Sequence, residues 1–387
     1  MKILTVLTYY RPHTSGLTIY VERLAKSLVK LGHEVTVLTS QYEKSLPREE
    51  VVDGVRIIRV PVLFRISKGV IMPTFGWMAW RLVSSHDVVH LHLPQFDAAG
   101  VALRGRILGK PTLITYHCDL LLPRSIFNRL INFVVHLMNH LAGLLADRVC
   151  AYTEDFASHS PYLLRYADKL EVIYPPVVMP SVSDQAVDEF RKRVNPENLS
   201  PVIGMATRFA TEKGVEILLN ALPGVMDAYP GAMVLYAGQY QDVMGETAYF
   251  QRLYPVIQTY QEKNRWVFLG VLNQEELAQF YSCLDVLVVP SLNSTETFGL
   301  VQIEAMIRGT PSIASNLPGV RVPPRVTGMG KVVPIGDSLA LTEAIIQIVA
   351  EPEKYQRPGT EVAKMFDPLV NATAYQALYT SLLEGSS

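Results

Sequence analysis

Short apolar runs alternate with amphipathic stretches along most of the chain. Residues 2–8 are mainly apolar, and residues 17–31 follow with apolar side chains at helical spacing. Three more runs of strand length lie at residues 34–39, 87–92 and 112–116. Asp53-Gly54 separates two short β-prone segments, a pattern typical of a hairpin turn. The alternation itself predicts parallel strands that are covered by helices on both faces.

The alternation breaks near residue 175 and then resumes. Residues 174–180 contain three prolines, which cannot continue a helix and are typical of a linker. The predicted elements beyond it are helices at 215–222 and 275–282 and strands at 202–205, 233–237, 266–269, 286–289, 312–314 and 331–333. A chain of 387 residues is long enough for two cores. We therefore expect two doubly wound, Rossmann-like parallel-sheet domains facing across a cleft, residues 1–178 and 179–366.

Composition and charge exclude some classes of protein. The net charge of −1 and a charged fraction of 18% give no support to nucleic-acid binding, which needs a basic surface. Cys118, Cys150 and Cys283 lack the spacing of zinc or redox sites, so a reducing compartment is expected. The first residues do not form the apolar core of a signal peptide, and we expect a cytoplasmic protein.

The charges are divided unevenly along the chain. Residues 1–180 contain 20 Lys and Arg against 14 Asp and Glu, whereas the remainder contains 15 against 22. This excess suggests that the first half meets something anionic, such as a lipid phosphate at the inner face of the plasma membrane, although chance scatter is an alternative. Residues 126–145 form a long apolar segment. A buried core helix is the first interpretation of it, and a helix on a membrane surface is the second.

The most informative segment runs from Glu296 to Glu304, with the sequence ETFGLVQIE. An apolar run at residues 285–290 precedes it and a helical pattern follows, so it forms a strand, a loop and a helix N-terminus. Such a junction offers unpaired backbone N–H groups and a positive helix dipole to a phosphate. The two carboxylates accept hydrogen bonds from hydroxyl groups, and eight helical steps separate them by roughly 12 Å. The segment therefore predicts a site for a nucleotide sugar.

Three other segments carry candidate chemistry. Arg208 and Lys213 follow the strand at residues 202–205, and both suit phosphate oxygens. Gly16 opens the first predicted helix, where it lets backbone approach a ligand closely. His117 ends the strand at residues 112–116. By contrast, His90 and His92 share one strand face without a third ligand nearby, and we interpret them as packing or acceptor-site residues.

The segment from Asp285 to Glu304 resembles the signature of the glycosyltransferase group 1 family (family 4), retaining enzymes of GT-B fold. The resemblance covers nearly the whole chain. It implies that Glu296 holds hydroxyls of the donor sugar and Glu304 holds the ribose. It also implies that the backbone N–H groups of Phe298, Gly299 and Leu300 meet the distal phosphate.

Other parts of the chain are similar to the same family. Arg208 and Lys213 match its Arg…Lys-Gly pair, which grips the pyrophosphate, and Leu272 lies where backbone contacts the nucleobase. His117 matches its Thr-x-His-Asp site, with Cys118 inserted before the acid, and would contact the donor sugar. Ser15-Gly16 stands where the family usually has two glycines. The resemblance also implies that helix 367–387 crosses back to the first domain.

The expected function is therefore a retaining glycosyltransferase. The N-terminal domain would bind the acceptor, a polysaccharide or lipid-linked oligosaccharide, and the C-terminal domain the donor, for which UDP-glucose is our best candidate. Fixed cations and the lack of an Asp-x-Asp sequence lead us to expect no metal and no cofactor. A nucleotide-sugar epimerase of the same fold and a non-enzymatic sugar-binding protein stay open as alternatives. No nucleic acid is expected as a partner.

Overall fold

The computed structural model describes residues 1–66, 69–119 and 126–385. The chain divides into two compact units. The N-terminal unit comprises Met1–Pro176 together with the segment from Phe366 onward, and the C-terminal unit comprises Val177–Met365. Each unit has its own sheet and its own apolar core.

The N-terminal unit is built on an eight-stranded sheet. The strands of this unit are β1 (Lys2–Val6), β2 (Glu34–Gln41), β3 (Glu49–Val52), β4 (Val55–Pro61), β5 (Phe64–Ile66), β6 (Gly69–Ile71), β7 (Val88–Leu93), β8 (Thr112–Tyr116), β9 (Arg148–Ala151) and β10 (Leu170–Val172). Strands β5 and β6 pair with each other as a separate hairpin, and the other eight form the sheet. The order in the sheet is β10-β9-β8-β7-β1-β2-β4-β3. All neighbours are parallel except β3 and β4, which form the predicted hairpin. Asp53 and Gly54 turn between them with φ of 51° and 78°.

Helices cover both faces of this sheet. They are α1 (Gly16–Lys30), α2 (Phe75–Ser85), α3 (Ala98–Ile107), α4 (Ile126–Leu145), α5 (Glu154–Ala157) and the C-terminal α15 (Pro368–Glu384). Leu4 and Val6 of β1 belong to one core cluster with side chains of α2, α3 and α4. On the opposite face α1 packs against α15, and the hydroxyls of Tyr20 and Tyr375 join the two helices at 2.7 Å.

The C-terminal unit has a fully parallel six-stranded sheet. Its strands are β11 (Val202–Ala206), β12 (Met233–Ala237), β13 (Trp266–Gly270), β14 (Val286–Val289), β15 (Ser312–Ser315) and β16 (Gly330–Val333). They follow the order β13-β12-β11-β14-β15-β16. Trp266 of β13 is almost fully buried and stacks against Tyr236 of β12, with ring centroids 6.0 Å apart.

Helices also cover both faces of the second sheet. They are α6 (Asp184–Val194), α7 (Val215–Ala228), α8 (Thr247–Gln261), α9 (Gln274–Ser282), α10 (Leu300–Ile307), α11 (Val322–Thr327), α12 (Ser338–Ala350), α13 (Pro352–Tyr355) and α14 (Gly359–Met365). One core cluster joins α7, α8 and α12 to the strands, and another joins α6, α9 and α10. The predicted class, two doubly wound parallel-sheet domains, is confirmed.

Helix α4 departs from the first interpretation of its sequence. Its predicted bounds are correct, but it is not a core helix, because a row of its apolar side chains is exposed. Those side chains are Leu130, Phe133, Leu137, Leu141 and Leu144. Within the described residues, neither α4 nor any other helix combines the length and the hydropathy that crossing a bilayer requires.

Candidate active site

The carboxyl ends of β11 and β14 form the centre of the candidate site in the C-terminal unit. The two strands are neighbours in the sheet, and chain order changes direction between them, since β12 and β13 lie on one side and β15 and β16 on the other. Open parallel sheets bind ligands at this kind of position. The loop after β11 carries Arg208 and Lys213, and the loop after β14 carries Glu296.

Glycine allows the two loops to pack closely. Gly214, at the start of α7, has a φ of 68°, and a Cβ on it would lie 2.1 Å from the carbonyl oxygen of Pro290. The backbone N–H of Leu292 also donates to the carbonyl oxygen of Glu212 at 2.9 Å. Any other residue at 214 would strain the backbone and push the loops apart. The chain therefore fixes the position of Lys213 relative to the loop that contains Glu296.

Two ion pairs connect the charged side chains of these loops. The Lys213 ammonium lies 2.6 Å from a carboxylate oxygen of Glu296, and both side chains are about one fifth exposed or less. The Arg208 guanidinium lies 2.6 Å from Glu212 and is half exposed. Each cation expected to bind phosphate is thus paired with a carboxylate and remains partly accessible to solvent.

The N-terminus of α10 lies directly after Glu296. Gly299 precedes the helix with a φ of 76°, and no side chain of the described residues caps this end. Gln302 holds the turn in place, because its amide nitrogen donates to the carbonyl oxygens of Phe298 at 3.0 Å and Val320 at 2.9 Å. Ser312 of β15 donates to the amide oxygen of Gln302 at 2.8 Å. This uncapped end suits an anionic group.

Glu304 lies one turn into α10 and is buried. The hydroxyl of Tyr281, on α9, donates to its carboxylate at 3.1 Å. The helix begins only at Leu300, so four of the eight residue steps from Glu296 are helical. The 12 Å separation, which assumed helical rise throughout, therefore does not describe this segment.

Leu272 lies in the turn between β13 and α9. Gly270 enters this turn with a φ of 70°, and its carbonyl oxygen accepts the N–H of Gly238 at 2.7 Å. Asn273 caps α9 in a reciprocal capping box with Glu276. Because β13, β12 and β11 are adjacent, this turn belongs to the same edge of the sheet as the loop that carries Arg208.

Gly16 is the first residue of α1 in the N-terminal unit. Ser15 caps the helix by accepting the N–H of Thr18 at 3.2 Å. No described protein atom lies within 4 Å of the position that a Cβ on Gly16 would occupy. Packing inside this unit therefore gives no reason for glycine, in contrast to Gly214.

His117 lies just beyond β8 and is almost completely buried. Its Nε2 is 2.9 Å from Nδ1 of His92, and its Nδ1 contacts the hydroxyl of Tyr152. The ring of Tyr20 packs edge-on against it with centroids 5.0 Å apart. Since both ring nitrogens are engaged, a side-chain hydrogen bond from His117 to a sugar would have to replace one of these bonds.

A second hydrogen-bonded chain lies beside His92. His90 bonds through Nδ1 to the hydroxyl of Tyr379 at 2.8 Å and through Nε2 to Thr115 at 2.7 Å. The Thr115 hydroxyl continues to that of Tyr375 at 2.8 Å. Residues of β7 and β8 are thereby tied to α15, which lies far away in the sequence.

Burial keeps these histidines neutral. It lowers the pKa of His90 and of His117 to about 3. The pKa of His92 is also lowered well below its usual value, mainly by burial and then by its histidine neighbours. In the described part of the chain, no three His, Cys, Asp or Glu side chains are arranged to hold a metal ion.

The sequence did not identify the residues that hold the candidate groups in place. Glu212 pairs with Arg208, Gln302 anchors the turn before α10, Tyr281 bonds Glu304, and His92 and Tyr152 bond His117. Gln302 lies within the Glu296–Glu304 segment, and a polar residue between the apolar Val301 and Ile303 was a usable signal. Glu212 lies four positions after Arg208, whereas Tyr281, His92 and Tyr152 come from other elements.

Comparisons with known proteins identify the family of the chain. A model described as glycosyl transferases group 1 matches residues 186–365, and one described as glycosyltransferase family 4 matches residues 14–179. The 2-deoxystreptamine N-acetyl-D-glucosaminyltransferase of Streptomyces fradiae is 29% identical over 88% of this chain and 84% of that protein. The phosphatidyl-myo-inositol mannosyltransferase of Mycobacterium leprae is 26% identical over 100% of this chain and 98% of its own length.

Solved structures support the fold. HepE of Anabaena in complex with UDP-glucose superposes with a TM-score of 0.76 at 18% identity, covering 98% of this chain and 100% of that one. The two parallel-sheet α/β units of this chain have the GT-B fold. The chain belongs to the group 1 glycosyltransferases of family 4. It is a hexosyltransferase that transfers a sugar from a nucleotide sugar to an acceptor.

Proposed function

We propose that this enzyme transfers glucose from UDP-glucose, with retention of anomeric configuration and without a metal ion. The C-terminal unit binds the donor and the N-terminal unit binds the acceptor. The observation that carries the proposal is the Lys213–Glu296 pair, 2.6 Å apart beside the uncapped N-terminus of α10. It combines a phosphate-binding cation, a hydroxyl-binding carboxylate and a helix dipole in one place.

Donor binding replaces the partners in the Lys213–Glu296 and Arg208–Glu212 ion pairs. A diphosphate that reaches Lys213 and Arg208 replaces the carboxylates of Glu296 and Glu212. The released Glu296 then accepts hydrogen bonds from sugar hydroxyls, while the N–H groups of Phe298, Gly299 and Leu300 bind the distal phosphate. Glu304 binds the ribose and the backbone at Leu272 contacts the base. A nucleoside diphosphate sugar has hydroxyls at both ends and a diphosphate between them, as this arrangement requires.

The same cations assist the chemical step. When the bond between the anomeric carbon and the phosphate oxygen breaks, negative charge grows on the diphosphate. Fixed positive charges at Lys213 and Arg208, with the α10 dipole, stabilise that charge more in the transition state than in the ground state. The departing phosphate oxygen accepts the proton of the acceptor hydroxyl on the same face, and the new bond forms there with retention.

The identity of the donor is supported only by likeness. HepE was solved with UDP-glucose, whereas the two relatives named above transfer N-acetylglucosamine and mannose by their names. The acceptor that we propose is a polysaccharide or a lipid-linked oligosaccharide at the cytoplasmic face of the plasma membrane. The phosphatidyl-myo-inositol named for one relative, and the positive balance of residues 1–180, support a lipid-linked acceptor.

A thermal-shift screen tests the donor. Ligands that bind only the folded state raise the melting temperature, so UDP-glucose should raise it more than GDP-mannose, ADP-glucose or UDP-N-acetylglucosamine. Lys213→Ala should lose the shift, whereas Lys263→Ala, on an exposed position of the same unit, should keep it. A larger shift with GDP-mannose would overturn the donor assignment. Conversion of UDP-glucose to another nucleotide sugar without acceptor would identify an epimerase instead.

A further inference from the structure

Three helices form one layer on the N-terminal unit. Helix α3 packs against α2 on one side and against α4 on the other, and all three cover the same face of the eight-stranded sheet. Arg104 strengthens this layer, because its guanidinium donates to the carbonyl oxygen of Gly76 on α2 at 3.1 Å. The outward sides of the three helices therefore form a continuous surface, which we call the α2–α4 surface.

The α2–α4 surface exposes large apolar side chains on all three helices. They are Trp77 and Trp80 on α2, Leu103 and Ile107 on α3, and Leu130, Phe133, Leu137, Leu141 and Leu144 on α4, and each is between 37% and 65% exposed. Single exposed apolar residues are ordinary, but contiguous groups of them mark interaction sites. The spacing of three and four residues on α4 places its five side chains in one row.

The charges on these helices have a single sign. Residues 75–85, 98–107 and 126–145 contain four arginines, at positions 81, 104, 106 and 129, and no aspartate or glutamate. The side chain of Arg106 is 70% exposed and lies 4.0 Å from the carboxylate of Asp147. Lys169 bonds the carbonyl oxygen of Ala146 just beyond the C-terminus of α4. Asp97 and Asp147 lie at the ends of α3 and α4 rather than within them.

We propose that the α2–α4 surface lies on an anionic lipid bilayer, with the apolar row of α4 in contact with acyl chains and the arginines at the phosphate level. This combination of exposed apolar side chains, tryptophans and cations suits the interfacial region of a membrane. A second copy of this chain fits less well, because the three helices contain four arginines and no carboxylate, so pairing two copies through this face would bring mostly like charges together. This inference rests on the proposed function, in which the acceptor is lipid-linked and lies at a membrane.

Vesicle sedimentation tests the proposal without a nucleotide sugar. The full chain should bind phosphatidylglycerol vesicles, and high salt or replacement by phosphatidylcholine should weaken binding strongly. The double variant Phe133→Glu with Leu137→Glu should bind more than about tenfold less, because it removes two large apolar side chains and adds charge. Leu339→Glu, at an exposed apolar position of the C-terminal unit, should bind like the unmodified chain.

Several outcomes would overturn the proposal. They are absence of vesicle binding, equal binding of the double variant, and equal binding to neutral vesicles. A dimer of the unmodified chain that the double variant converts to a monomer in light scattering would identify a second copy as the occupant. The shift in melting temperature with UDP reports the donor site separately. Vesicle binding without a UDP shift would contradict the proposed donor and support membrane binding by the α2–α4 surface. A UDP shift without vesicle binding would support the donor site and contradict membrane binding.

Discussion

The polar clusters of the two units are built in opposite ways. In the C-terminal unit Lys213, Glu296 and Arg208 are charged, partly exposed and joined in ion pairs. In the N-terminal unit His90 and His117 are buried and neutral and bond to neighbouring side chains. The charges of the first cluster can exchange partners, because an anionic ligand offers the two cations the same kind of oxygen acceptor that the glutamates offer. The second holds a fixed geometry, since breaking a buried hydrogen bond is expensive.

The distribution of histidine follows the same division. All nine histidines lie between residues 13 and 159, within the N-terminal unit, and the C-terminal unit contains none. The neutral histidine network and the ion pairs of the candidate site therefore lie in different units. Each of the following substitutions changes one side of this comparison.

The largest effect is expected at the exchangeable ion pair. Lys213→Ala and Glu296→Ala should each reduce sugar transfer by about 10²–10³-fold, because each removes a group that acts on the developing charge or the sugar. Both variants should stay folded, since the pair is partly exposed. Radiolabelled sugar transfer and circular dichroism measure the two properties. Near-normal turnover in both variants would refute the site, and Lys263→Ala serves as the control.

A smaller effect, on stability, is expected in the buried network. Tyr379→Phe removes the hydroxyl that bonds Nδ1 of His90 and leaves that nitrogen buried without this partner. The free energy of unfolding should fall by about 1–3 kcal/mol, as measured by urea denaturation. Tyr254→Phe, whose hydroxyl makes no hydrogen bond among the described residues, should change it little. Equal losses in both variants would show that the network contributes no special stability.

The pH dependence of stability distinguishes the units further. Burial lowers the pKa of His90 to about 3 in the folded chain, below the value near 6.5 expected when unfolded. The unfolded chain therefore binds protons first as pH falls. The stabilising contribution is complete above pH 6.5 and is lost between 6.5 and about 3, at about 1.4 kcal/mol per pH unit. In His90→Gln, the slope of the free energy of unfolding against pH should be smaller by this amount below pH 6. Between pH 7 and 9 the slope should be the same as in the unmodified chain.

The smallest effect is expected from the carboxylate that competes for Arg208. Glu212→Gln removes this charge, so UDP should bind up to about fivefold more tightly in calorimetry, consistent with the modest energy of an exposed pair. Glu353→Gln, on an exposed helix of the same unit, should leave the affinity unchanged. Weaker binding in Glu212→Gln would show that the glutamate positions Arg208 rather than competing for it.

The sequence predicted most strands because buried parallel strands are continuous apolar runs. The bounds predicted for β8, β12 and β14 agree with the structure, and the Glu296–Glu304 segment was found through its local strand–loop–helix pattern. The bond between His90 and Tyr379 joins residues 289 positions apart, so no local pattern indicates it. The exposure of α4 was only the second interpretation of its sequence for a related reason, since an apolar helix has a similar composition in a core and on a surface.

The burial of Trp266 has an optical consequence. The chain has three tryptophans, and Trp77 and Trp80 are exposed while Trp266 is enclosed by the aromatic core of the second sheet. An indole in an apolar environment emits at shorter wavelength than one in water. Loss of the blue edge of the emission spectrum therefore reports unfolding of the C-terminal unit, while the exposed indoles of the N-terminal unit contribute a nearly constant background.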